Sequence, residues 1–289
     1  MAFFFKNRYL IRKRALGDVV WIEPVIEQLS KKHKKLIVFT KFNSIFNDYP
    51  LRNVVFKNDL SLFHKINYRI HNFFKWNFLY TNLDNSYETN PSKHILHAYQ
   101  DKAKLPYTFK KPNLYFFGSK PLNFDTTNKY VVLHLETLSL QNHRNVYGIN
   151  WDDVIAFLKK TGYRVIQIGV KPSLEGVDFQ MTSIQEMIYI IKNSSLFIGI
   201  DSGPSHIASA FSIKSILFFG SINPWFRHFR SDFNGIIMQS FCEFQHCYHN
   251  SKRPNGPICR IVGNEGIPKC SLHSTDILLK NINKILLCD

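Results

Sequence analysis

The sequence predicts an α/β protein built on doubly wound parallel sheets, and three observations carry that expectation. The second half alternates short apolar runs, rich in branched side chains, with stretches of helical periodicity, the pattern of a parallel sheet with helices on both faces. The first forty residues open with the same order of strand, helix and strand. At IDSGPSHIASAF, residues 200–211, an apolar run gives way to a polar turn and then to helical spacing; such strand ends are where open α/β sheets hold ligands.

Taken in order, Tyr9 to Val20 reads as a strand and its turn, and Trp21 to Ser30 as a helix. The cations Lys31, Lys32, Lys34 and Lys35 suit the carboxyl end of that helix, and Leu36 to Thr40 forms the next strand. From about residue 41 to 125 the pattern weakens. The aromatic and basic stretch from Phe63 to Tyr80 reads as a helix or an irregular excursion. Its aromatic rings are expected in a core, although rings interleaved with cations also resemble a stacking surface for single-stranded nucleic acid. A second run begins near Asn128. It has strands at Tyr130 to Leu135, Tyr163 to Gly169, Leu196 to Ile200 and Ile216 to Gly220, and helices at Trp151 to Lys160, capped by Asn150, and at Ser183 to Asn193. Helical spacing over Thr275 to Leu287 suggests a last helix that packs across both halves. The expected domains are 1–125, then 126–274 with a cysteine-rich loop at 242–270, and a terminal segment 275–289 returning toward the first.

Of the 289 residues, 45% are hydrophobic and 20% charged, enough apolar mass for a core and too little charge for disorder. No apolar run approaches the length of a membrane span. Met1 to Phe5 is too short for a signal-peptide core, and its cations follow it instead of preceding it, so a cytoplasmic protein is expected. The net charge of +16 is uneven: residues 1–125 carry 21 Lys and Arg against 9 Asp and Glu. Such a field attracts nucleic acid, anionic lipid or a polyanionic substrate without choosing among them.

Five cysteines stand at 242, 247, 259, 270 and 288. Cys242, Cys247, Cys259 and Cys270 lie close together in a stretch rich in Pro and Gly, and in a cytosolic chain that arrangement suggests a structural metal, Zn or Fe, ahead of a disulfide. Unrelated or redox-active thiols are the alternative, and His246 and His249 are spare ligand candidates.

The Asp201-Ser202-Gly203 turn admits three chemistries. An aspartic protease would need a second such carboxylate in a β-rich chain, and there is none. A nucleophile elbow would need glycines two residues either side of a serine, which neither Ser202 nor Ser205 has. A phosphate seat at a helix N-terminus remains, beside the simpler reading of a helix start capped by Asp201 or Ser202.

Leu16-Gly-Asp-Val-Val20 with Pro24, then Ile200 to Ala210, then Phe218-Phe-Gly-Ser-Ile-Asn-Pro224 together resemble, in order, the motifs of glycosyltransferase family 9, the ADP-heptose:lipopolysaccharide heptosyltransferases. The resemblance implies a GT-B fold, two Rossmann-like domains facing a cleft, and inverting transfer of a sugar from a nucleotide diphosphate such as ADP-heptose. Under it Asp18, after the turn at Gly17, is the base that takes the acceptor proton, with a helix cap as the alternative role. Ser202, Gly203, Pro204 and Ser205 seat the diphosphate, and Asp201 and His206 contact phosphate or sugar hydroxyls, or else serve as a cap and a packed histidine. Arg144 clamps phosphate or is a surface arginine, and Glu175 holds the ribose. No metal or other cofactor is then required for catalysis. The cysteine cluster resembles a metal-binding finger of some protein-modifying members, so the acceptor is a lipopolysaccharide-type saccharide or a protein, with peripheral contact at the inner membrane surface. The competing classes are a nucleotide-sugar epimerase, a dinucleotide oxidoreductase, which the missing G-x-G-x-x-G disfavours, and a basic nucleic-acid-binding protein, for which no motif speaks.

Overall fold

The computed structural model describes residues 7–74, 79–88, 91–118, 120–122, 124–125, 127–136, 142–250, 258–263 and 265–287. The chain divides into two compact units, Met1–Phe117 and Gly118–Asp289, so the boundary lies ahead of residue 125.

The first unit holds a parallel sheet of β1 (Asn7–Ile11), β2 (Lys35–Phe39), β3 (Val54–Lys57) and β4 (Tyr80–Asn82), in the order β3-β2-β1-β4. Tyr9 pairs with Ile37 on one side and Tyr80 on the other, which fixes the register of the central strand. The expected helix after β1 comes in two pieces, α1 (Leu16–Val20) and α2 (Glu23–Ser30). Val19, Val20, Trp21, Ile22, Val25 and Ile26 are all buried on this connection, so it packs as a parallel crossover should. Helices α3 (Leu62–Phe73) and α4 (Ile95–Ala103) complete the unit.

Helix α3 corrects the expectation that the aromatic and basic stretch serves the core. None of its residues is buried. Its helical period sends His64, Tyr68 and His71 toward Tyr9 and Tyr80, while Phe63 and Phe73 remain 69% and 80% exposed. Residues 75–78 of that stretch lie outside the described residues.

The second unit holds six parallel strands: β5 (Tyr130–His134), β6 (Arg164–Ile168), β7 (Asp178–Gln180), β8 (Leu196–Ile200), β9 (Ser215–Phe218) and β10 (Gly235–Met238). Their order is β10-β9-β8-β5-β6-β7. The chain winds outward from β5 to β7, then returns to β8 on the other flank of β5. The carboxyl ends of β5 and β8 therefore form a topological switch point, the usual ligand crevice of such sheets.

The helices start where the sequence supplies caps. Helix α5 (Trp151–Lys160) begins at Asn150, whose side chain accepts from the Asp152 N–H. Helix α6 (Ile184–Lys192) begins with a reciprocal Ser183 and Glu186 capping box. Helix α7 (Gly203–Ala210) is buried from Pro204 to Ala210, and its small residues allow close approach to β8 and β9. Helix α8 (Thr275–Leu287), expected to reach the first half, buries Leu278 and Ile282 in the second unit's core with Val154 and Leu158 of α5. Among the described residues no helix is long and apolar enough to cross a membrane.

Candidate active site

In the second unit the switch point gathers polar side chains from three strand ends. Ser202 is the N-cap of α7 in extended backbone, and its hydroxyl lies 3.1 Å from Nδ1 of His134 at the end of β5. Ser205 stabilises the turn, its hydroxyl accepting from the Ser202 N–H at 3.2 Å and donating to the Ser202 carbonyl at 2.7 Å. Ser202 and Gly203 are half-buried, whereas Pro204, Ser205 and His206 are buried. The accessible part of the motif is thus the first turn of the helix, where N–H groups and the helix dipole favour an anion.

Asp201 is the anchor beneath that turn. It is only 6% exposed. Its carboxylate lies 3.8 Å from Arg144, 3.7 Å from Arg227 and 3.5 Å from Nε2 of His206. Burial alone would raise its pKa, but the His206 hydrogen bond and the two guanidinium groups outweigh it and hold the carboxyl below the usual carboxylate range. Asp201 is therefore an ionised strut. His206 is buried and stacked on His228, with ring centroids 5.0 Å apart, and its Nε2 faces Asp201.

Arg144 is held beside the turn. Its guanidinium donates to the Asp201 carbonyl at 3.4 Å, and its side chain keeps partial exposure on the same side. Gly220 explains how the segment before α5 gets there. A Cβ at Gly220 would fall 1.8 Å from the His143 carbonyl oxygen, so only glycine lets the 142–144 turn lie against the end of β9. The Ser271 hydroxyl donates to the same carbonyl at 2.9 Å, and Asn142 donates to Gly266 at 2.6 Å. The return of the cysteine-rich loop thereby braces the arginine-bearing turn. Residues 137–141, just before this turn, lie outside the described residues.

Glu175 is exposed on the loop after β6. The carboxylate that does meet this strand end is Glu136, which accepts from the Val170 N–H at 2.6 Å. Sequence reasoning missed Glu136, His134 and Arg227. His134 ends β5 and Glu136 follows it, a strand that was recognised, so their position was the available signal; Arg227 had none, being brought in from a separate turn after β9.

In the first unit Asp18 sits inside α1, whose N-cap is Ala15, so it does not cap that helix. Its carboxylate pairs with Arg12 at the end of β1. Arg12 is 3% exposed and also faces Asp84 at 3.6 Å and Glu88 at 3.4 Å, over the ring of Tyr99. One buried cation thus orients Asp18 among three carboxylates. Gly17 is buried at the turn.

The four expected metal ligands converge. Cys242, Cys247, Cys259 and Cys270 are all free thiols, and together with His143 they line one cavity of about 20 Å³. Burial raises the Cys247 thiol and pushes Cys270 up to about 11. Among the described residues, however, no group of three or more His, Cys, Asp or Glu side chains is placed to hold a metal ion. The spare candidates are otherwise engaged: His249 accepts from the Asn223 N–H at 2.8 Å, and His246 faces Gln239 at 3.3 Å. Cys288 lies outside the described residues.

Two units, each built on a parallel sheet, with a polar strand-to-helix turn at the switch point of the second, define a doubly wound α/β protein with a ligand crevice. The family profile described as glycosyltransferase family 9 (heptosyltransferase) matches residues 97–253, and the chain belongs to that family. The autotransporter heptosyltransferase Aah of Escherichia coli is 29% identical over 108 residues, which cover 33% of this chain and 27% of that protein; the chain thus matches about a quarter of that relative's length. Among solved structures, the iron-containing dodecameric glycosyltransferase TibC of enterotoxigenic E. coli superposes with a TM-score of 0.75 at 16% identity, over 98% of this chain and 77% of TibC. A TibC structure in complex with ADP-D-beta-D-heptose gives 0.74. The E. coli ADP-heptose lipopolysaccharide heptosyltransferase II gives 0.64 at 12% identity, over 98% and 99% of the two chains. The fold is GT-B.

Two predictions follow from these surroundings. Burial lowers His134, His143 and His273 to about 4, and His228 well below its ordinary value. The unfolded chain takes up these protons as the pH falls through about 6.5 while the folded chain does not, so stability should fall between pH 6.5 and 4. Glu23, which burial raises to about 7, works in the opposite direction, one group against four. Chemical denaturation should show a lower midpoint at pH 5 than at pH 7; equal midpoints would sink this account. Asp201→Asn should cost about 3–5 kcal/mol in the same assay, because it removes the anion facing the buried Arg227, and a loss below about 1 kcal/mol would remove Asp201 as the anchor.

Proposed function

We propose that this chain is an inverting transferase that moves heptose from ADP-heptose to a hydroxyl of a lipopolysaccharide-type saccharide or of a protein. The observation that carries the reading is the first turn of α7 at the switch point, with Ser202 and Gly203 accessible, His134 on one side and Arg144 on the other. That arrangement suits a diphosphate. Backbone N–H groups, the helix dipole and a guanidinium fork would together stabilise the leaving nucleotide without a divalent ion. Glu136 is better placed than Glu175 to meet the ribose, since it lies at the strand ends and Glu175 on an exposed loop. Asp18 is the proposed base, with Arg12 fixing its direction.

Three observations bear on the acceptor. The likeness to an autotransporter heptosyltransferase and the thiol cluster support a protein hydroxyl. The basic excess of residues 1–125 supports an anionic saccharide, and with it peripheral contact at the inner, anionic face of a membrane in the cytoplasm.

The test is thermal stability against ADP-, UDP-, GDP- and CMP-linked sugars with and without EDTA, followed by transfer assays of Asp18→Asn. ADP-heptose at a hundred times its dissociation constant should add about 2.7 kcal/mol, unaffected by EDTA. Asp18→Asn should bind it equally well while losing about 10²–10⁴-fold in transfer. A shift with another nucleotide alone would reassign the donor, and near-normal transfer by the variant would remove Asp18 as the base.

The four thiols around one cavity also support a structural metal, and a set of sulfur donors suits Zn or Fe. Its part would be to fix the loop that braces the 142–144 turn. Protein purified without chelator should carry about one metal per chain by elemental analysis; metal-free protein with an unchanged melting midpoint would end the proposal.

A further inference from the structure

Helix α3 is amphipathic with its apolar side turned outward. Leu62, Phe63, Ile66, Ile70 and Phe73 are 75%, 69%, 50%, 44% and 80% exposed, and at 3.6 residues per turn they fall within an arc of about 100°. The opposite side attaches the helix to the first unit through a polar and aromatic seam. His64 lies 3.0 Å from the Tyr80 hydroxyl, and Tyr68 accepts from the Asn82 side chain at 3.0 Å. The helix is therefore held by His64, Tyr68 and His71, while its five large apolar side chains face solvent. Scattered exposed hydrophobes need no explanation, but a contiguous stripe of this kind marks an interaction surface.

Charge decides what fits it. Arg69 falls at the edge of the stripe and Lys65 less than a quarter-turn further round, and α3 contains no acidic residue. The surrounding half of the chain is basic, with 21 cations against 9 anions over residues 1–125. A second copy seated on this face would bring like charges of both copies together. An apolar stripe bordered by cations matches the interfacial region of an anionic bilayer, into which such a helix sinks its apolar face while the cations meet headgroup phosphates.

We propose that α3 is the surface by which this protein docks on anionic membranes, lying in the interfacial plane with Leu62, Phe63, Ile66, Ile70 and Phe73 among the upper acyl chains and Lys65 and Arg69 at the headgroups. The inference deepens the membrane contact proposed above by assigning it a surface. It is read without any sugar transfer, so the two can fail separately.

The experiment is flotation of the full chain with vesicles of mixed phosphatidylglycerol and phosphatidylethanolamine, compared with pure phosphatidylcholine. The wild-type protein should float with the anionic vesicles and much less with the neutral ones. The double variant Phe63→Ser/Phe73→Ser should lose about tenfold or more in partitioning. Lys65→Glu/Arg69→Glu should lose the preference for anionic over neutral vesicles. Both variants alter exposed positions, so their melting midpoints and nucleotide-induced shifts should match the wild type. Wild-type protein that stays with the pellet fraction, or apolar variants that float as well as it does, would overturn the proposal. So would sedimentation velocity in which Phe63→Ser/Phe73→Ser disperses an oligomer formed without lipid, because the face would then belong to a second copy. If vesicle binding holds while every nucleotide sugar fails to stabilise the protein, the donor reading falls and the docking surface stands.

Discussion

The second unit depends on one buried negative charge. Asp201 ends the strand beside the switch point, and a carboxylate so enclosed is tolerable only because Arg144, Arg227 and His206 surround it. That requirement sets the positions of the surrounding pieces. It draws the 142–144 turn against the end of β8, it draws in the turn after β9 that bears Arg227, and it orients His206 against His228. The helix N-terminus directly above Asp201 is then left with its accessible first turn facing outward, which is the part a ligand could use. An anchor that is itself saturated with cations is poorly suited to contact substrate, whereas Ser202, Gly203 and Arg144 beside it keep partial exposure.

The first unit repeats the same physical device with the charges reversed. Arg12 is a buried cation at a strand end, and Asp18, Asp84 and Glu88 gather about it. Its consequence is orientation: the Asp18 side chain, on a helix of five residues, would otherwise have several rotamers open to it, and the ion pair selects one. In each unit, then, the polar residue offered to a ligand is held by a buried charge behind it. The cysteine-rich loop adds a third restraint, since its return holds the His143 carbonyl through the Ser271 hydroxyl and the Asn142 side chain through the Gly266 carbonyl.

Much of this was legible in advance, for identifiable reasons. The strands at Tyr130, Tyr163, Leu196 and Ile216 were readable because central parallel strands are buried on both faces and so appear as unbroken apolar runs. Asn150 and Ser183 were readable as helix starts because a cap is a local hydrogen bond between residues two or three apart. The short edge strands β7 and β10 were not, having only three or four residues, too few to impose a pattern. The stretch from Phe63 to Tyr80 misled because aromatic content suggests burial, whereas within α3 the helical period divides the rings between two opposite sides, and only the smaller polar and aromatic set faces the sheet.

What the sequence determined by itself was the alternation of strands and helices, the strand-to-helix turn at residues 200–211 and the ordered motifs that place the chain in its family. All of these are local in the chain, carried by periodicity, capping and turn chemistry within a dozen residues. What only the tertiary structure decided was which charges meet. Arg227 reaches Asp201 from 26 residues away, Asp84 and Glu88 reach Arg12 from more than seventy, and Gly220 has its purpose only because the His143 carbonyl lies against it. Such pairings depend on strand order and loop return, and a single sequence carries no local signal for them because the energy that fixes them, the cost of an uncompensated buried charge or a steric clash, exists only once the chain has folded.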